Sequence, residues 1–151
     1  MGPERIILHC AETPDAGDQF GIEHINRWHR DNQWSPYVSI DGKEIYCGYH
    51  YVIKRSGVVE IGRPEDVPGI HTKGHNANSI GICYMGTRRM TEMQLNSLVR
   101  LYKQIYSRHQ IEPENVFGHY EYNEHKPCPG QDMTVVRALF RLHKILGFKN
   151  I

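Results

Sequence analysis

Thr91-Glu92-Met93-Gln94 matches a capping box, in which a hydroxyl and an amide three residues apart satisfy backbone N–H groups of a first helical turn. Leu95, Leu98, Val99, Tyr102, Ile105 and Tyr106 follow at i, i+3, i+4, i+7 spacing, so the stretch predicts an amphipathic helix that stops before Pro113. Such a helix must bury its apolar stripe against another element. The chain offers two short apolar runs, Ile6-Ile7-Leu8 and Ser79-Ile80-Gly81-Ile82-Cys83-Tyr84, which read as inner strands, the first buried on both faces. Together with Gly and Pro scattered along the chain, this describes a mixed α/β protein.

The remaining elements follow in order. From Gly21, Ile22, Ile25 and Trp28 mark one face of a helix that ends near Trp34-Ser35-Pro36. Asp41-Gly42 between Tyr37-Val38-Ser39-Ile40 and Glu44-Ile45-Tyr46 is a hairpin signal. Tyr49 to Lys54 and Val58 to Ile61, joined through Ser56-Gly57, read as an antiparallel pair, and Gly69 to Asn78 as a loop. Gly81 inside a strand predicts something large packed against the sheet there. Asn115-Val116-Phe117 leads as a short extended segment into Gly118-His119. Asp132 can cap a last helix with Val136, Leu139, Phe140, His143 and Leu146 inward, ending at Gly147. Trp28 and the Tyr102/Tyr106 stripe are expected in the core and not as a sugar platform.

A length of 151 residues fits one domain, 1–151, without disulfide or metal staples. The net charge of +1 and the lack of any long run of like charges argue against nucleic acid or an anionic membrane as partner. The first residues carry an apolar run too short for a secretory signal, and no stretch is long and apolar enough to insert into a membrane. Cys10, Cys47, Cys83 and Cys128 are too far apart for a CxxC site and are expected to be free thiols or ligands in a chain made in a reducing cytoplasm.

The chemistry concentrates between Gly118 and Gly130, where His119, Lys126 and Cys128 lie close together ahead of Cys-Pro-Gly. A hydrolytic zinc needs three protein ligands beside its water, so a third must come from elsewhere. His9 sits at the carboxyl end of the first strand, where catalytic groups project from sheets covered by helices. A His9/His119/Cys128 set would leave a tetrahedral zinc one open position, and a water there is acidified toward neutrality. Spacing alone favours the plainer reading of ordinary histidines and a buried thiol, because a chain with 10 histidines offers many such triples.

Resemblance adds to that reading. Ile-Leu-His-Cys at the first strand, Trp28-His29, Gly48 to Lys54, Gly62-Arg63, His71 to Ile82 and Lys126-Pro127-Cys128-Pro129-Gly130 occur in one family's order. The chain resembles the zinc-dependent N-acetylmuramoyl-L-alanine amidases of the phage-lysozyme type, relatives of the peptidoglycan recognition proteins. The resemblance implies a single domain with a central mixed sheet flanked by helices and zinc in a surface groove. It implies His9, His119 and Cys128 as zinc ligands and Tyr49 and Lys126 as catalytic helpers. The substrate would be peptidoglycan, cut between N-acetylmuramic acid and L-alanine of the stem peptide by a monomeric phage or prophage endolysin acting on the wall after release. Lys126 suits the developing oxyanion, and Tyr49 assists proton movement. Three other functions stay open: a cytoplasmic amidase recycling muropeptides, whose relatives usually carry aspartate at the place of Cys128; a non-catalytic peptidoglycan-binding module; and a regulatory binder.

Other residues near these blocks have two readings. His71 and Asn76 could hold the stem peptide or sugar, or only satisfy loop backbone. His50 alternates away from Tyr49 and is expected to be structural. Cys10 should point away from the site, Cys47 and Cys83 should pack as strand thiols, and His125 should face solvent. The segment from Pro36 to Cys47 looks longer than the expected link and would lie beside Tyr49.

Overall fold

The computed structural model describes residues 2–15, 17–34, 36–149 and 151. Its elements run β1 (Arg5–Cys10), α1 (Ile22–Asp31), β2 (Val38–Ile40), β3 (Lys43–Ile45), β4 (Tyr51–Ile53), β5 (Val59–Ile61), β6 (Ser79–Tyr84), α2 (Glu92–His109), β7 (Val116–Gly118) and α3 (Met133–Ile145). Two 3-10 turns, Pro113–Asn115 and His119–Glu121, flank β7. The expected end of the first helix includes Ser35, which lies outside the described residues; the helix itself closes at Asp31, capped by Asn32.

Five strands form one mixed sheet in the order β5-β4-β6-β1-β7. β1 runs parallel to β6 and β7, β4 runs parallel to β6, and only the β4/β5 pair is antiparallel. The two inner strands β1 and β6 are buried along nearly their whole length, because helices cover both faces. On one face Ile6, Leu8, Ile80, Ile82 and Tyr84 pack against Leu98, Tyr102 and Ile105 of α2 and Val136 and Phe140 of α3. On the other, Val52, Cys83 and Met85 pack against Ile25 of α1. The capping box forms in full at Thr91, whose hydroxyl accepts from Gln94 N at 3.0 Å, and Asp132 caps α3 by accepting from Thr134 N at 2.9 Å. The Asp41-Gly42 hairpin forms as β2/β3, a separate two-stranded sheet.

Two core expectations are overturned. Trp28 is 36% exposed: α1 buries Ile25 and His29, and Trp28 lies to one side of the stripe they define. Leu146 is 52% exposed, because it is the C-cap of α3, where the helical turn that would carry it inward has ended. Tyr102 is fully buried and Tyr106 packs partly against the same core, as expected.

Candidate metal centre

His9 reaches the site because the β1/β6/β7 register carries the carboxyl end of β1 beyond its last pairing with β7, at Leu8–Gly118. The chain leaving β7 turns at once into the short 3-10 segment that holds His119. Cys128 returns to the same place because its carbonyl accepts from Tyr120 N at 2.8 Å, which closes the intervening loop. One donor atom each from His9, His119 and Cys128 then lies within 4.8 Å of the other two. The imidazole centroids of His9 and His119 are 4.5 Å apart.

Hydrogen bonds assign the His9 tautomer. Ser79 Oγ donates to the His75 carbonyl at 2.7 Å, so it accepts from His71 Nε2 at 3.3 Å. His71 Nδ1 is then the bare nitrogen, and it accepts from His9 Nε2 at 3.0 Å, with Thr72 Oγ1 3.3 Å from the same His9 nitrogen. His9 Nδ1 keeps its lone pair. The Cys128 sulfur accepts Cys10 N–H at 3.0 Å, the kind of contact that favours a thiolate. Two imidazoles and a thiol, one imidazole fixed by a neighbouring side chain and the thiol met by an N–H, fit a tetrahedral zinc with an open position.

Electrostatics follow from burial. Burial and the neighbouring His71 and His119 push the His9 imidazole well below its usual range, and burial pushes His71 down to about 3. The same cause, with Lys126 nearby, lowers His119, so all three rings are neutral at neutral pH, the form in which an imidazole binds a metal. The Cys128 thiol is raised, first by its interaction with the Cys10 thiol and then by burial. Burial also raises the Tyr49 phenol, with Cys83, Cys128 and Cys47 adding to the effect, so Tyr49 stays protonated, its hydroxyl bonded to the Cys83 thiol.

A groove of about 530 Å³ holds these groups. It is lined by His9, His119, Cys128, Tyr49 and Lys126, and by His71, Lys73 and Asn76 of the loop before β6. Tyr49 packs on His9 with centroids 5.1 Å apart, and Lys126 is exposed at the rim. Gly48 permits this placement of Tyr49: a Cβ there would sit 1.9 Å from the Ile70 carbonyl oxygen. Asn76 Oδ1 accepts from His71 N and Thr72 N, both at 2.8 Å, so its carbonyl shapes the loop while the residue still lines the groove. The His71 ring is also the large group predicted against Gly81, where a Cβ would come within 2.6 Å of it.

His50 is structural: its Nδ1 accepts from Gly81 N at 3.0 Å and its Nε2 donates to the Val67 carbonyl at 2.8 Å. His125 faces solvent, and Cys47 and Cys83 are buried thiols. Cys10 does alternate onto the face opposite His9, but it is not remote from the site. Cys128 reaches around the end of β1 to that same face, so the two thiols interact. The residues missed at the sequence level are Trp34, which also lines the groove, and Thr72. Trp34 carries no periodic signal, and Thr72 shows its role only once the loop is folded over β1.

Comparison with known proteins places the chain in a family. The description of the N-acetylmuramoyl-L-alanine amidase family matches residues 1–131. The endolysin of Enterobacteria phage T3 is 40% identical over 83 residues, covering 55% of this chain and 48% of the endolysin. The chain thus spans about half the length of the curated relatives it matches. The structure of the N-acetylmuramoyl-L-alanine amidase LysC from Clostridium intestinale superposes with a TM-score of 0.68 at 26% identity, over 87% of this chain and 78% of that one. Drosophila peptidoglycan recognition protein SD also reaches 0.68, at 19% identity over 85% and 76% of the two chains, a likeness of fold alone.

Proposed function

The chain belongs to the N-acetylmuramoyl-L-alanine amidase family, and from that premise we propose that it is a zinc-dependent endolysin that hydrolyses the amide between N-acetylmuramic acid and L-alanine in bacterial peptidoglycan. The observation that carries the reading is the meeting of His9, His119 and Cys128 donors within 4.8 Å at the floor of a groove lined by Tyr49 and Lys126.

His9 through Nδ1, His119 and Cys128 would hold the metal, which when bound supplies Lewis acidity toward the scissile carbonyl and an activated water. His71 and Thr72 hold the His9 ring, and the Cys10 N–H stabilises the Cys128 sulfur. Lys126 reaches from the rim with an ammonium group that suits the charge developing on the carbonyl oxygen. Tyr49, kept protonated by burial and packed beside His9 in the groove, would be the candidate proton donor to the departing amine once its hydroxyl leaves Cys83. His71 acts in this account through His9. Asn76 would meet the stem peptide through its amide N–H₂, since its oxygen is engaged by the loop.

The protein would act on the wall of the host cell as a monomer. Among the described residues no helix is long and apolar enough to cross a membrane. Retention of the thiol at the third ligand position supports catalysis over a binding-only role. The test is zinc content and activity of wild type and Cys128→Ser side by side. We expect zinc occupancy and hydrolysis to fall together, and full activity without zinc would refute the proposal. Soluble muropeptides cut in place of intact sacculi would assign the recycling role instead.

A further inference from the structure

Trp28 and Trp34 are the chain's only tryptophans, and both line the groove that holds the candidate metal centre. Trp28 is 36% exposed and Trp34 55%, and their rings lie 5.1 Å apart, tilted by 54°. Neither position is needed to fill the core, which α1 reaches through Ile25 and His29. The backbone at both positions is also held. Trp34 N donates to the His29 carbonyl at 3.1 Å, and Asn32 bonds the Trp28 carbonyl from both its backbone N, at 3.1 Å, and its side chain, at 3.0 Å. From this pair a run of ring contacts leads to the metal centre: Trp34 to His29 at 6.0 Å, His29 to Tyr49 at 5.5 Å, and Tyr49 to His9 at 5.1 Å.

A fixed apolar wall that stays exposed and is continuous with a catalytic groove calls for a ligand with an apolar face. The substrate of the proposed reaction has two parts on either side of the scissile amide. Its stem peptide is rich in amide and carboxylate groups, which suit Lys73 and Asn76 in the same groove. Its glycan part is a chain of pyranose rings, whose C–H faces pack flat on indole while their hydroxyls stay in water. We propose that Trp28 and Trp34 form a saccharide platform that stacks on a pyranose ring of the N-acetylated glycan strand. The identity of that glycan rests on the amidase reading; the capacity of the wall to bind a sugar does not.

Because no other tryptophan is present, intrinsic tryptophan emission of the zinc-loaded protein reports on this wall alone. It is titrated with the N-acetylglucosaminyl-N-acetylmuramic acid disaccharide lacking peptide, and separately with the stem tripeptide lacking sugar. We expect a saturable change with the disaccharide only. Trp34→Ala should weaken disaccharide binding roughly tenfold, equivalent to about 1.4 kcal/mol, and Trp34→Tyr should restore most of it. On a sugar-bearing substrate, Trp34→Ala should raise KM by a similar factor and change kcat far less, since the indole would meet the sugar and not the scissile amide.

Several results would overturn the platform: no response to the disaccharide, an equal response to the tripeptide, unaltered disaccharide affinity in Trp34→Ala, or emission that changes with protein concentration and so assigns the wall to a second copy of the chain. Hydrolysis of the same substrate, followed in parallel, separates the two claims. A disaccharide response without amide cleavage supports the platform and sinks the amidase reading, and cleavage without a response does the reverse.

Discussion

A ligand histidine is effective only when its ring is held, and His9, a ligand in the proposed centre, is held by His71 Nδ1 at 3.0 Å and Thr72 Oγ1 at 3.3 Å. His71→Ala should therefore weaken zinc binding by roughly 10- to 100-fold, the usual cost of losing such a partner, as read by competition with a chelator. Unchanged affinity would return His71 to the role of substrate contact. Lys126 should have a different signature, because the proposal places it in the reaction and not in the ligand set. Lys126→Ala should keep its zinc while losing roughly 2 to 4 kcal/mol of transition-state stabilisation, measured as kcat at verified metal content. At this scale much was legible: His9, His119, Cys128, Tyr49 and Lys126 were each named from their blocks, and all five line one groove. The His9–His71 contact was not legible, since it depends on how a loop without periodicity folds over a strand far away in sequence.

The elements that carry the site are tied by a few buried polar groups as well as by the core. Arg63 is the clearest: 3% exposed, it donates to the carbonyls of Cys47 at 2.9 Å, Pro68 at 3.2 Å and Pro36 at 2.7 Å. It thereby joins both ends of the hairpin segment to the loop that leads to His71. Arg63→Ala would take this shared donor from the Cys47 and Pro68 carbonyls, a loss on the order of 2 to 4 kcal/mol, visible as a lower urea midpoint with an unchanged slope. A midpoint equal to wild type would show that water replaces the guanidinium. The long helix α2, both inner strands and the Asp41-Gly42 hairpin were legible because propensity, capping and periodicity agree there. Trp28 was misread for a physical reason. Ile22, Ile25 and Trp28 share apolar spacing, but the polar-looking His29 occupies the inward position and accepts from Gly48 N at 3.0 Å, turning Trp28 toward the groove.

Across the whole molecule, one carboxylate links the β4 side of the sheet to the end of α2. Burial alone would raise Glu65, but hydrogen bonds from Arg108, Tyr51 and His109 outweigh it and hold the carboxyl at about 2, against 4.5 for an unperturbed group. A carboxyl with a depressed folded-state pKa contributes stability above its unfolded value and loses it as pH falls through the folded one. Glu65→Gln should thus lower stability at neutral pH by up to about 3 kcal/mol and flatten its decline between 4.5 and about 2. Urea titrations in chelator keep metal loss out of that comparison, and an unaltered acid limb would remove Glu65 from the account. The fold brings the ends of β1 and β7 and the loop before β6 together at one groove, and the central claim concerns what happens there. Mass spectrometry of sacculi digested by the zinc-loaded protein tests it most directly. The account predicts stem peptides with a free L-alanine amino terminus, intact glycan strands, and no release in chelator; cleavage within the glycan or the cross-bridge, or the same products without zinc, would contradict it.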